Sequence, residues 1–293
     1  MAVLDGATPY WGMKKIHIRA AGSGLNLTFY AGALEALEEL GYEPDTGAGT
    51  SGGGDILAMW CAGFSAKEIQ ALLLQFMPPL FKILDPSWLP TSWYFRWGIY
   101  KMQKLQAEIK KHLALKGIVH FKDMKVPFAC FTTNMRTGQR ADWSTVSTPD
   151  DVVGDRVVDG SRLPIAMQPG WITGEPHRDG GLVYNYPIDF KFPGQNEMSP
   201  TIGLLFKGTA NPGGKPVKDF FDDATRCIDF MLAATARKHM EDAAWANTIV
   251  IKPVGSAMDF LKTPEQAKAD FKVGYDCVKQ WFAMNEPKTT PTV

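Results

Sequence analysis

The chain has 293 residues, and 31 Lys and Arg balance 31 Asp and Glu, so its formal net charge at neutral pH is zero. That balance argues against binding nucleic acid by phosphate neutralisation, which needs clustered excess Lys and Arg. A hydrophobic share of 45% and a charged share of 21% exclude a disordered chain, and a chain of this size buries about 75% of its unfolded surface, enough for a core without staples.

Residues 1–13 read as an irregular arm. Residues 15–21 alternate and predict a strand, which Gly22-Ser23-Gly24 breaks. Leu27, Ala31, Leu34 and Leu37 then recur at helical spacing, with Gly41 as the stop. Residues 46–54 form a second glycine-rich turn, preceded by a short and poorly marked strand at 44–48. An apolar helix follows through Ile56 and Trp60 to Gly63. Ser65 and Glu68 have the spacing of a capping box and open a helix to Phe76.

Residues 78–100 differ from the rest. They gather Phe81, Trp88, Leu89, Trp93, Tyr94, Phe95, Trp97 and Tyr100 among four prolines. Residues 101–116 predict an amphipathic helix and 126–132 a buried strand. Residues 152–158 predict a weaker strand, 201–206 and 248–252 two apolar strands, and 217–246 a long helix. Thr263, Pro264 and Gln266 mark another helix start, with Ala267, Phe271, Tyr275, Val278 and Phe282 as its stripe. Residues 285–293 are a polar tail. The alternation of strands and helices predicts an α/β fold with a mostly parallel sheet. We read one domain over 1–293, with 78–100 as an insertion.

Four cysteines, Cys61, Cys130, Cys227 and Cys277, lie far apart with no CxxC pair. They predict reduced thiols, mostly buried, rather than a metal site or a disulfide scaffold. The N-terminus has no apolar run of signal-peptide length, and no stretch reaches about 18 uncharged apolar residues, as a spanning helix requires. The expected setting is the cytoplasm or a membrane surface. Delivery to a host without a cleaved signal stays open.

Gly49-Thr50-Ser51-Gly52-Gly53 fits G-x-S-x-G, a turn that holds a serine between strand and helix. Side chains at Gly49 and Gly53 would collide with the strand or the helix, and the helix N-terminus favours negative charge at the serine. A serine nucleophile also needs a base and an oxyanion hole. Gly22-Ser23-Gly24 offers backbone N–H groups; the bland alternative is a tight turn, and no Walker lysine or full GxGxxG supports a nucleotide site. Asp179-Gly180-Gly181 offers a carboxylate, although an Asp before glycines is usually a turn. An ordinary carboxylate with pKa about 3.9 is a poor base at pH 7, so burial would have to raise it.

Together these pieces resemble the patatin-like phospholipase family, in four ordered blocks between about residues 14 and 187. They are Gly22-Ser23-Gly24-Leu25-Asn26 leading into Tyr30-Ala31-Gly32-Ala33-Leu34, the Ser51 turn, Ser161-Arg162-Leu163-Pro164 followed by Pro169, and Asp179-Gly180-Gly181 with Asn185-Tyr186-Pro187. The resemblance implies a three-layer sandwich with a central, mostly parallel sheet flanked by helices. It implies a nucleophile at Ser51 and a base at Asp179, with oxyanion donors at Gly22, Ser23 and Gly24. The elbow would be Gly49 and Gly53, supported by Gly180, Gly181, Asn185 and Pro187. It implies hydrolysis of phospholipid or other fatty-acyl esters, with no cofactor and no metal. Two places depart from the family: Asn26 and Leu27 stand where it usually carries Arg or Lys and then Gly, and Ser23 replaces a glycine.

Trp88, Trp93, Tyr94, Phe95 and Trp97 read as a lid or a membrane-docking element, because indole and phenol rings favour the lipid–water interface; packing on the core is the alternative. His177 lies two residues before Asp179 and would permit a Ser–His–Asp arrangement. The sequence also leaves open an inactive membrane-associated binding module, a soluble esterase or acyltransferase, a protein activator and a homo-oligomer.

Overall fold

The computed structural model describes residues 14–76, 97–206, 220–238, 247–253 and 262–285. The arm at 1–13, Trp88, Trp93, Tyr94 and Phe95 lie outside the described residues. In chain order the elements are β1 (Lys14–Ala20), α1 (Leu27–Glu39), β2 (Tyr42–Gly49), α2 (Gly52–Cys61), α3 (Ala66–Phe76), α4 (Gln103–Leu115), β3 (Phe128–Asn134) and β4 (Arg140–Ser144). They continue with α5 (Val153–Asp159), β5 (Gly170–Ile172), β6 (Glu175–Asp179), the short α6 (Gly181–Tyr184), β7 (Thr201–Phe206), α7 (Phe220–Lys238), β8 (Thr248–Ile251) and α8 (Pro264–Met284).

The eight strands form one sheet in the order β5-β6-β3-β2-β1-β7-β8, with β4 also paired to β3. The run β3-β2-β1-β7-β8 is parallel; β4 and β6 run antiparallel to β3, and β5 antiparallel to β6. Alternation along the strands sorts the faces. Ile16, Ile18, Phe128 and Cys130 join the core built with α1, α2, α3 and α8. Ala48, Ala129 and Phe131 face the other way, under Tyr184 and Phe192 from the stretch after β6.

Two sequence expectations change. Residues 153–159 are helical, not a strand: Val153, Gly154, Val157 and Val158 are buried, which is helical rather than alternating spacing. A side chain at Gly154 would strike Lys110 of α4, so the glycine permits close packing there. The poorly marked strand before Ser51 is a full eight-residue strand that contains Pro44. Proline is tolerated because β2 pairs with β3 only from Gly47 onward, and the register with β1 shifts between Ile16 and His17.

Other local signals are present as read. Gly41 and Gly63 have φ of 78° and 89° after their helices. Ser65 and Glu68 form reciprocal cap bonds, as do Thr263 and Gln266. The expectation of mostly buried thiols holds for two of the four cysteines: Cys61 and Cys130 are buried, whereas Cys277 is half-buried and Cys227 exposed. Among the described residues, no helix is long and apolar enough to cross a membrane.

Candidate active site

Register across β3 brings the site together. Gly49 is level with Cys130, so Ser51, two residues on, arrives level with Thr132, and Thr132 pairs with Asp179. On the other side Ala20 is level with Gly49, which sets the Gly22 to Gly24 loop beside Ser51.

Ser51 has φ 50° and ψ −134°, a left-handed conformation that non-glycine residues rarely adopt. The flanking glycines are required by close approach. A Cβ on Gly49 would lie 2.6 Å from the Gly53 carbonyl carbon, and one on Gly53 2.4 Å from Ala21 O. α2 starts at Gly52 and aims its N-terminus at the serine.

The Ser51 hydroxyl donates to Asp179 Oδ2 at 2.6 Å. The Gly181 N–H donates to Asp179 Oδ1 at 2.7 Å, so both carboxylate oxygens are engaged. Asp179 is fully buried. Burial pushes its carboxyl up to about 6, against the opposing pull of the bonds from Ser51 and Gly181. The rise is in the direction that the sequence argument asked of a base at this position.

The glycine loop needs one correction. The Gly22 N–H donates to Asn185 O at 3.0 Å and is committed to holding the loop. Ser23 and Gly24 remain as the loop's candidate oxyanion donors. Asn185 is thus a brace: its Nδ2 also donates to Leu232 O of α7 at 3.0 Å. Pro187 lies in the same turn, ahead of the phenylalanines that cover the sheet. Gly180 packs under the site, where a Cβ would lie 2.4 Å from Phe131 O.

His177 does not join Ser51. It is buried, its Nδ1 is 2.8 Å from Thr132 Oγ1, and burial lowers its pKa. Among the described residues, no group of three or more His, Cys, Asp or Glu side chains is placed to hold a metal ion.

A cavity of about 150 Å³ runs from Ser51, Gly24 and Gly52 between α2, α3 and α4. Leu25, Ile56, Leu72, Met102, Leu105 and Met167 are among its walls, and Phe76 and His112 line it as well. Its lining is mostly apolar, with Asp55, Glu108 and Ser161 also bordering it. Sequence reasoning missed one member of this wall. Asp55 lies one helical turn after Ser51, lines the cavity, and accepts both its recorded side-chain bonds from the Ser161 hydroxyl at 3.1 Å. Enclosure pushes its carboxyl up to about 8, with the charge of Asp179 adding to the rise. An i, i+4 spacing from Ser51 was the available signal, but only the fold shows the cavity it faces.

Of the aromatic candidates, Trp97 is described. It is 49% exposed and rests against Trp171, itself 60% exposed, with ring centroids 5.3 Å apart. Trp97 and Ile165 have φ of 59° and 68°, strained for bulky residues. Arg178 ties the two segments together by donating to Trp97 O and to Met167 O, two residues after Ile165. The pair stands outside the turn whose Leu163 and Met167 line the cavity.

A serine hydroxyl on a strand-to-helix elbow, a buried carboxylate in contact with it and an apolar cavity alongside form a lipase-type architecture. Residues 21–190, more than half of the chain, match the family model for patatin-like phospholipases, and the chain belongs to that family. It is 27% identical over 292 residues to the uncharacterized protein YqhO of Bacillus subtilis (strain 168), covering 89% of this chain and 97% of that one. VipD from Legionella pneumophila has a similar fold at TM-score 0.57 and 15% identity, covering 93% of this chain and 67% of that one. ExoU, in its heterodimeric complex with SpcU from Pseudomonas aeruginosa, overlays at TM-score 0.47 and 14% identity, covering 93% and 51%.

Proposed function

We propose that this protein is a lipid acyl hydrolase of phospholipase A or lysophospholipase type, with Ser51 as nucleophile and Asp179 as general base. The observation that carries the reading is the 2.6 Å bond from the Ser51 hydroxyl to a buried carboxyl raised to about 6.

Asp179 takes the Ser51 proton as Oγ attacks the ester carbonyl carbon. The N–H groups of Ser23 and Gly24 stabilise the tetrahedral oxyanion, with the α2 N-terminus adding to the field. The intermediate collapses, and the leaving alkoxide takes the proton from Asp179. Water then attacks the acyl-enzyme, Asp179 accepts its proton, and return of that proton to Ser51 Oγ releases the fatty acid. The acyl chain lies in the apolar cavity, beside which Trp97 and Trp171 meet the lipid surface.

The test is fatty-acid release from mixed phospholipid vesicles with a chelator present, comparing wild type with Ser51→Ala and Asp179→Asn. Loss of about 10⁴-fold or more in both variants, with unchanged folding, is expected. Release that survives Ser51→Ala would overturn the mechanism. Hydrolysis of a soluble p-nitrophenyl ester but of no vesicle lipid would favour the soluble esterase reading, and no turnover of either the binding module.

A further inference from the structure

Asn26 ends the glycine-rich turn and starts α1, and it is buried. Its Oδ1 accepts a hydrogen bond at 3.1 Å from Lys262 Nζ, 236 residues further along the chain. The same ammonium donates to Asp270 Oδ2 at 2.6 Å and reaches Thr28 Oγ1 at 3.4 Å and Leu25 O at 3.5 Å. It also lies 5.1 Å above the Phe29 ring. Thr28 Oγ1 donates to Asp270 Oδ2 at 2.7 Å, which closes the network. Lys262 and Asp270 are only 5% and 7% exposed.

A charge taken out of water on this scale is retained only where it is paired and bonded. Here every recorded partner of the ammonium apart from Asp270 lies in the turn that carries the oxyanion donors or in the first turn of α1. The anchor is rigid from both sides. Thr263 and Gln266 cap α8 directly after Lys262. α8 also meets α1 at backbone distance, since a Cβ on Gly32 would lie 1.8 Å from Phe271 O and one on Gly274 1.9 Å from Phe29 O. The Asp270 carboxylate faces the α1 N-terminus, the favourable end for an anion, and Lys262 neutralises it. Both residues lie outside residues 21–190, the part matched to the family. They bring a basic group to the place where this sequence has Asn26.

We propose that Lys262 is a positioning residue for the oxyanion loop: its ammonium, held by Asp270, clamps Leu25, Asn26 and Thr28 to α8 and so fixes the Ser23 and Gly24 N–H groups toward Ser51. This rests on the hydrolase reading of Ser51 and Asp179. A pair that served stability alone would be replaceable by uncharged groups of similar size with no change in turnover. A clamp on catalytic donors is not replaceable in this way, because a displacement of about 1 Å costs about 10²-fold.

The experiment uses the full chain and the K262M/D270N variant, which removes the ammonium without stranding a carboxylate. Three measurements are made: kcat and KM for p-nitrophenyl butyrate, thermal unfolding, and amide hydrogen exchange of residues 22–28. The expected result is a fall in kcat of about 10²-fold, KM close to wild type, and faster exchange confined to the turn and the first turn of α1. K262R retains activity, and N26K/K262M, which supplies the ammonium from position 26 to the same Asp270, recovers it. A folded K262M/D270N chain with wild-type kcat and wild-type exchange overturns the proposal. So does a loss that N26K/K262M fails to restore while its melting temperature recovers. Should K262M/D270N fail to fold, K262M alone against N26K/K262M carries the same comparison. A wild-type chain that hydrolyses nothing sinks the hydrolase reading, while the exchange of residues 22–28 still judges the clamp.

Discussion

The stretch from Gly22 to Pro187 holds every atom of the proposed reaction, and the stretch after it holds none. Yet the second stretch touches the site at several points. Leu232 O of α7 receives the Asn185 amide, Thr235 Oγ1 of α7 donates to Gly181 O at 2.8 Å, and Lys262 reaches the glycine loop. The first region is built from short motifs whose residues are fixed by local chemistry. The second works through bonds between residues far apart in the chain. The contrast teaches that candidate reacting groups drawn from local motifs are tied by hydrogen bonds to a region that carries no such motif.

The strongest way to break this contrast is to damage the bracing region alone. Gly274→Val places atoms where Phe29 O stands, 1.9 Å from the first added carbon. Overpacking of that kind costs about 3 kcal/mol or more at a backbone contact. We expect a lower urea midpoint and loss of hydrolysis in proportion, measured by circular dichroism and ester turnover on one sample. Unchanged stability would mean that α8 is not held to α1 as described.

The reacting region is sharpened by pH. With the Asp179 carboxyl near 6, the ionised base is lost as pH falls through that value. A profile of kcat/KM on a soluble ester is expected to be flat above about pH 6 and to fall about tenfold per unit below it. A break near the ordinary aspartate value of about 3.9 would mean that Asp179 is not desolvated in the working enzyme.

The smallest expected effect concerns Asp55 in the cavity wall. Its folded pKa of about 8 lies above the unfolded value, so the folded state holds a proton that the unfolded state has lost between about pH 4 and 8. Stability from this group therefore declines as pH rises through that window. Asp55→Asn removes the decline. Its melting temperature, taken relative to that of wild type, is expected to rise from about pH 4 to 8 and then level off. A constant difference across pH would show that the carboxyl titrates normally.

Much of the site was legible because local backbone demands select residue types. A serine at φ 50° between glycines that no side chain could replace leaves a G-x-S-x-G trace. A carboxylate that bonds the N–H two residues on leaves Asp-Gly-Gly. Helix caps at Ser65 and Thr263 follow the same logic. These features concern neighbours in sequence, so residue order alone determines them. The fold class also followed, from the alternation of apolar strands and helices.

Tertiary structure decided the rest. It made residues 153–159 a helix, because α4 and β3 bury its four apolar positions together. It committed the Gly22 N–H to Asn185 and turned His177 to Thr132. It set Asp55 in the wall of an apolar cavity and Lys262 against Asn26. Each of these depends on partners brought together by sheet register and helix crossing. Hydrophobic periodicity records only which face of an element is buried, not which distant group waits on that face, and desolvation and hydrogen bonding act on the group that arrives there.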